Sequence, residues 1–210
     1  MGLDFVEVLM EIEDRLDVEL MSGIEWYPLH TAGTLSDVVW QRLQGYEPAI
    51  TFDDYRQANA TVEQVFQQRG VTRRWFVKDL NRLLPEEDRE QIWSQLSDRL
   101  DCPLPELHSR GDGSVPTIPK VCSTKHDLVM WVLWHRPGHE LWRPITPTQR
   151  TKPLGWPFKA RRTDSSAKVP RSWTREEVWE EVRQILIEQL GLRPEEVVKD
   201  ARLNEDIRLD

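Results

Sequence analysis

Cysteine and long apolar runs are both scarce in this 210-residue sequence. It contains only two cysteines, Cys102 and Cys122, and its longest uninterrupted apolar run, Leu128–Trp134, is seven residues. Two cysteines are too few for a disulfide scaffold, and their spacing matches no metal site. Seven residues also fall far short of the roughly 20 needed by a membrane-spanning helix. We therefore expect a cytoplasmic protein without a membrane anchor.

Basic charge is also in deficit. The chain has 28 Lys and Arg residues against 36 Asp and Glu residues, which gives a net charge of -8. A general nucleic-acid binder needs a positive footprint, so we expect no nucleic-acid partner. The acidic start Met1–Glu7 is unlike a secretory signal, which begins with basic residues. With 30% charged and 39% apolar residues, the composition is typical of a globular protein.

Helical spacing of apolar residues is clearest near the two ends of the chain. Residues 4–17 carry one stripe, formed by Phe5, Val8, Leu9, Ile12 and Leu16. Residues 174–190 follow a capping box, Thr174–Glu177, and carry a second stripe, formed by Val178, Val182, Ile185, Leu186 and Leu190. Neither stripe is stable in water, so we expect Leu9, Ile12 and Leu16 to pack against Val182, Ile185 and Leu186.

Three pairs of segments recur in a consistent order, which indicates an internal repeat. The pairs are Val77–Asp79 with Val198–Asp200, Asp14–Asp17 with Asp98–Asp101, and Thr34–Asp37 with Thr124–Asp127. We interpret Thr34 as the N-cap of a short helix that runs through Leu43. The first pair is offset by 121 residues and the second by 84.

This order predicts an all-α protein of two helical bundles. One bundle is continuous and covers residues 60–135. The other is split, with its first helix and loop in 173–210 and its remaining helices in 1–44. Residues 45–59 are expected to be a connector with at most a helical turn near Asp53. Residues 136–172 contain six prolines and are expected to be a linker.

The split copy carries the resemblance to a known family. Read across the break, Asn204–Asp210 continues into Gly2–Glu7. The joined string resembles the acyl carrier protein signature, in which Asp-Leu-Gly-x-Asp is followed by Ser-Leu-Asp and then Val-Glu. The resemblance implies a four-helix bundle of three main helices and one short helix. It also implies an acidic second helix that docks partner enzymes, with the phosphopantetheine arm on the serine at its start.

Neither copy keeps that serine. Gly2 occupies the position in the split copy, and the position falls near Glu86 in the continuous copy. Ser165 follows Asp164, but no hydrophobic helix follows it. Attachment of the arm requires a hydroxyl oxygen, so we expect no cofactor and no catalytic residue.

Four carboxylates share one face of the predicted first helix: Asp4, Glu7, Glu11 and Asp14. The resemblance implies that this face docks a protein partner with a basic surface. The alternative is an ordinary solvated helix face. Acids in the first turn also stabilise a helix by roughly 0.3–1 kcal/mol each.

A histidine turn raises the alternative of a small metal-dependent enzyme. It contains His135, His139 and Glu140, but Pro137 and Gly138 separate the histidines. The turn therefore lacks the helical arrangement that places two ligands on one face. Zinc also needs a third protein ligand. Two solvent-facing histidines are the simpler interpretation, and we expect no metal.

Basic and aromatic residues alternate in the stretch 142–162: Trp142, Arg143, Arg150, Lys152, Trp156, Phe158, Lys159, Arg161 and Arg162. Such a stretch could bind an anionic partner, a nucleic-acid backbone or a membrane surface. It could equally fold back over the acidic bundles as a linker.

The sequence thus favours a non-catalytic interaction or adaptor protein without a prosthetic group. The first alternative is a genuine carrier whose serine-bearing segment lies outside this sequence, and the second is the metal-dependent enzyme. Exchange of the terminal helices between two copies would give a homo-oligomer.

Overall fold

The computed structural model describes residues 3–20, 29–71, 78–108, 115–138, 140–145 and 172–207. These residues are mostly helical, so the expected helical class is confirmed. The chain divides into two compact units. Unit 1 combines both ends of the chain, residues 1–48 and 142–210, and unit 2 is the continuous stretch 49–141.

Each unit has its own set of helices. Unit 1 contains α1 (Leu3–Leu16), α2 (Ala32–Leu43), β1 (Tyr46–Pro48), β2 (Trp142–Pro144) and α7 (Arg175–Leu190). Unit 2 contains α3 (Phe52–Gln68), α4 (Leu80–Leu83), α5 (Arg89–Leu100), a 3-10 helix (Lys120–Cys122) and α6 (Lys125–His135). Helices α1 and α7 lie within one residue of their predicted bounds. In the described part of the chain, no helix has both the length and the apolar character needed to cross a bilayer.

The core of unit 1 joins the two ends of the chain. Helix α1 packs against α7, which confirms the predicted pairing of their apolar stripes. The predicted contact residues all belong to one buried cluster: Leu9, Ile12, Leu16, Val182, Ile185 and Leu186. Burial of each large apolar side chain contributes roughly 1.5–3 kcal/mol, so this cluster is the main source of stability for unit 1.

Helix α2 begins one turn earlier than the sequence predicts. Its N-cap is Thr31, whose hydroxyl accepts a hydrogen bond from the Thr34 N–H at 3.2 Å. The Thr34 hydroxyl accepts one from the Thr31 N–H at 2.9 Å. The prediction that Thr34 is the N-cap was therefore wrong. Thr34 is instead the third residue of the helix and completes the capping box with Thr31. Asp37 lies in the second turn and pairs with Arg175 at 2.7 Å.

Strands β1 and β2 lie where the chain leaves unit 1 and returns to it. They pair antiparallel, with Tyr46 opposite Pro144. The buried carboxylate of Glu47 accepts a hydrogen bond from the Arg143 Nε at 2.9 Å and lies 3.5 Å from the Arg42 Nη2. A buried carboxylate is tolerated only when it is paired, so these arginines hold β1 and β2 against α2.

Unit 2 starts earlier than the sequence predicts. Residues 45–59 were expected to form a connector, but they contain β1 and the first two turns of α3. Thr51 caps α3 through a capping box with Asp54. The exposed Phe52 interrupts the apolar spacing before Ala58, which hides the start of the helix from a periodicity argument.

Helix α3 packs against α5 and α6 to form the core of unit 2. The buried side chains of this core include Val62, Val65, Phe66, Ile92, Leu96, Leu128 and Met130. Arg89, the first residue of α5, is also buried. Its guanidinium donates hydrogen bonds to the carbonyl oxygens of Pro116 and Asn81, both at 2.6 Å.

Two backbone features recur at the offsets of the sequence repeat. Asp17 after α1 and Asp101 after α5 are the non-glycine residues with positive φ in the described chain, at 52° and 48°. In both cases the N–H of the next residue bonds to the carbonyl oxygen five residues earlier. Gly191 after α7 and Gly70 after α3 have φ of 63° and 66° and are followed by the same type of bond. Each helix thus ends in the same way as its match.

A third feature lies just before the capping threonines of α2 and α6. The N–H of Leu203 bonds to the carbonyl oxygen of His30 at 3.0 Å, and the N–H of Leu80 bonds to that of Ser123 at 2.7 Å. His30 precedes the cap of α2, and Ser123 precedes Thr124, the cap of α6. Helices α2 and α6 thus each begin just after a residue whose carbonyl accepts a bond from a remote leucine, although Leu203 and Leu80 lie 123 residues apart and not 121.

A candidate interaction surface on helix α1

The core stripe of α1 leaves one face of the helix exposed. Residues three and four apart are neighbours on a helix surface, which places the four predicted acids on this face. Asp4, Glu7 and Asp14 are exposed and Glu11 is half-buried. The structure therefore brings the predicted partner-binding residues together on one side of unit 1.

Glu11 differs from the other three acids because it is already paired. The Arg15 Nε donates to the Glu11 Oε1 at 2.7 Å, and the same guanidinium bonds to Glu181, at 3.3 Å, and to Glu188 of α7. These bonds, first that with Glu188 and then that with Glu11, raise the pKa of Arg15 well above its ordinary value. Hydrogen bonds from Gln184 and then Arg15 lower the pKa of Glu188. Glu11 thus belongs to the contact between α1 and α7.

Two of the other acids, Glu7 and Asp14, flank an apolar side chain that the sequence reasoning missed. Met10 is 43% exposed and lies three residues after Glu7 and four before Asp14. No described residue forms an ion pair with Asp4, Glu7 or Asp14. The available signal was an apolar residue off the core stripe of an otherwise amphipathic helix. We call this set of four residues, Asp4, Glu7, Met10 and Asp14, the α1 face.

The matching face of α5 has different chemistry. At the offset of 84 residues, Glu7, Met10 and Glu11 correspond to Gln91, Ser94 and Gln95, whereas Asp14 corresponds to another acid, Asp98. Gln91, Ser94 and Asp98 are exposed, and Gln95 is half-buried. Asp4 corresponds to Asp88, which is half-buried. The face of α5 thus keeps two of the three acids of the α1 face, but it has neutral polar residues in place of Glu7 and Met10.

The predicted attachment positions contain no hydroxyl group. Gly2 lies outside the described residues, and a glycine has no side chain in any conformation. Glu86 is exposed in the turn before α5, and the sequence from Lys78 to Trp93 contains no serine. The start of α5 therefore offers no oxygen nucleophile for a phosphodiester.

Only part of the histidine turn is described. His135 ends α6, and its ring stacks on Trp131 with the ring centroids 3.6 Å apart. Its Nδ1 lies 2.8 Å from the carbonyl oxygen of Trp131. His139 lies outside the described residues. Among the residues that are described, no group of three His, Cys, Asp or Glu side chains is arranged to hold a metal ion.

Both cysteines are buried free thiols of unit 2. Burial raises the pKa of Cys102 to about 11, and burial also raises the pKa of Cys122. A thiol reacts as its thiolate, so a raised pKa makes both groups poor nucleophiles.

The structure describes only the start of the basic–aromatic stretch. Trp142 and Arg143 lie in β2, where Arg143 pairs with Glu47. The remaining members, from Arg150 to Arg162, lie outside the described residues.

Comparisons with protein-family models, with curated proteins and with solved structures found no match.

Proposed function

We propose that this chain is a non-catalytic interaction or adaptor protein made of two copies of a carrier-like helical bundle without a prosthetic group. Its α1 face docks a protein partner with a basic surface. Unit 1 is the split copy and unit 2 is the continuous copy.

The matched backbone features support two copies of one bundle. A left-handed aspartate ends α1 and α5, and a left-handed glycine follows α7 and α3. Non-glycine residues rarely adopt positive φ, because the Cβ then crowds the backbone. Two such aspartates at the repeat offset are therefore hard to attribute to chance.

The glycine and acidic residues at the attachment positions support the absence of the arm. An arm requires a hydroxyl at the start of the second helix, and Gly2 and Glu86 provide none. A transferase assay tests this directly. After incubation with a phosphopantetheinyl transferase and coenzyme A, we expect an unchanged intact mass. An adduct on any serine would instead support the genuine carrier.

The exposed Met10 beside Glu7 and Asp14 is the observation that carries the proposed docking role. Protein interfaces combine an apolar centre with a polar rim, and aromatic residues, Met and Arg are enriched in them. Rim charges steer a partner of opposite sign and discriminate against partners of like sign. Met10 beside Glu7 and Asp14 supplies both elements on the α1 face.

A basic amphipathic peptide tests the docking role. The probe is a fluorescently labelled helical peptide of lysine and leucine, and binding is followed by fluorescence anisotropy. The face variant combines Asp4→Asn, Glu7→Gln and Asp14→Asn. A variant of equal charge combines Glu86→Gln, Glu87→Gln and Asp98→Asn, all at exposed positions of unit 2.

We expect the face variant to weaken binding by roughly tenfold, because exposed charge pairs contribute about 0.2–1 kcal/mol each. Addition of Met10→Ala to the face variant should weaken peptide binding further. Higher salt should weaken peptide binding by the wild type. The charge-matched variant should bind like the wild type. Equal losses in both variants would mean that only net charge matters, which would contradict docking at α1.

A further inference from the structure

The arginine that links the packed helices belongs to α1 in unit 1 but follows α3 in unit 2. Arg15 of α1 reaches the glutamates of α7 in unit 1. In unit 2, Arg69 at the end of α3 donates from its Nε to the Gln95 Oε1 at 2.7 Å and from its Nη1 to the Gln91 Oε1 at 2.9 Å. Gln91 and Gln95 match Glu7 and Glu11 of α1.

This difference in the position of the arginine changes the charge that each face offers to a partner. A glutamine amide accepts hydrogen bonds but carries no charge, so it does not neutralise the guanidinium. Arg69 therefore places a positive charge where unit 1 has Glu7 and Glu11. Asp88 and Asp98 are retained, but Ser94 replaces the apolar Met10. On this side a basic partner meets the positive charge of Arg69 and no apolar side chain at the position of Met10.

We propose that Arg69 and its two glutamines determine which of the two matching helices docks. A basic partner binds the α1 face and is rejected by α5, so the chain has one docking site although it has two similar bundles. This inference rests on the proposed docking function of α1. Repulsion between like charges is a general way to exclude a second mode of binding.

Conversion of the α5 face to that of α1 tests the proposal. The converted variant combines Gln91→Glu, Ser94→Met, Gln95→Glu and Arg69→Gln. A second variant has the first three changes but keeps Arg69. Titration calorimetry with the lysine–leucine peptide gives the stoichiometry. Circular dichroism and the protection of Cys102 and Cys122 from a thiol reagent confirm that unit 2 is folded.

The wild type should bind one peptide per chain, and the converted variant should bind two. The variant that keeps Arg69 should bind the second peptide about tenfold more weakly, because the guanidinium pairs with the new glutamates and competes with the peptide. When the α1 face is neutralised in the converted variant, a single site on α5 should remain.

Two results would overturn this proposal without affecting docking itself. One is a wild type that already binds two peptides through both helices, and the other is a converted, folded variant that gains no second site. A wild type that binds no peptide would instead contradict the proposed function, and this inference with it.

Discussion

Helices α1 and α5 pack in similar ways but expose different chemistry. The buried stripe of α1 packs against α7 and that of α5 packs against α3, and each helix ends at a left-handed aspartate. Their exposed faces differ at Glu7 and Gln91, and at Met10 and Ser94. Apolar packing therefore defines the position of the helix, whereas the charge of the polar residues on its exposed face can differ between the two units. The comparison teaches that two similarly packed helices can expose faces that differ in charge and polarity.

The largest expected effects on stability come from two buried residues that occupy matching positions in α1 and α5. Ile12 of α1 and Leu96 of α5 are fully buried and lie 84 residues apart. Ile12→Ala and Leu96→Ala should each reduce the free energy of unfolding of their own unit by about 2–5 kcal/mol. Urea unfolding followed by circular dichroism measures both losses.

Thiol labelling assigns each loss to a unit, because both cysteines lie in unit 2. Leu96→Ala should accelerate labelling of Cys102 and Cys122, whereas Ile12→Ala should leave the rate unchanged. Equal acceleration by both variants would show that the units unfold together, and the comparison between them would fail.

A smaller, pH-dependent effect is expected in unit 2 alone. Burial raises the pKa of Cys102 to about 11, whereas a cysteine of the unfolded chain has a pKa near 8.5. Below pH 8.5 the thiol keeps its proton in both states. Between roughly pH 8.5 and 11 the unfolded chain loses this proton and the folded unit does not, so the free energy of unfolding decreases as the pH rises.

Urea unfolding at pH 8 and pH 10 measures this decrease. The wild type should lose more stability between the two pH values than Cys102→Ala does. The loss should appear in the unfolding of unit 2, since unit 1 contains no cysteine. An identical pH dependence in the variant would exclude a contribution from this thiol.

The smallest effects are expected at the helix ends. Asp17→Gly and Asp101→Gly should each raise the free energy of unfolding by roughly 0.5–1 kcal/mol, because glycine adopts positive φ without strain and removes an acid from a helix C-terminus. Thermal unfolding measures both gains. Asp→Ala at the same positions is the control and should give no gain. A gain at only one site would weaken the match between the two helix ends.

The periodicity of apolar residues was sufficient to predict the two terminal helices, α1 and α7. The stripes of α1 and α7 are regular, and Thr174 and Gly191 mark the ends of α7 by well-understood capping chemistry. The structure agrees with these expectations to within a residue. The acidic set was also predictable, since residues three or four apart share a helix face.

The remaining differences come from contacts that are remote in sequence. Thr34 resembles an N-cap, but Thr31 takes that role because the backbone around it bonds to Ala201 and Leu203. Glu11 has the same spacing as the docking acids, yet Arg15 binds it together with two glutamates of α7. The bonds to Ala201 and Leu203 and the two glutamates of α7 are remote in sequence, so the position of the cap and the full pairing around Glu11 became apparent only in three dimensions.

The split of unit 1 between the two ends of the chain also imposes an order in time on its biosynthesis. A ribosome makes α1 and α2 first, then all of unit 2, and only then α7. At roughly 5–20 residues per second, unit 2 can fold while α1 waits for about 9–35 seconds without its packing partner. During that interval the stripe containing Leu9 and Ile12 is an exposed apolar surface on a nascent chain. The newly made protein should therefore depend on chaperones for its first helix rather than for its middle.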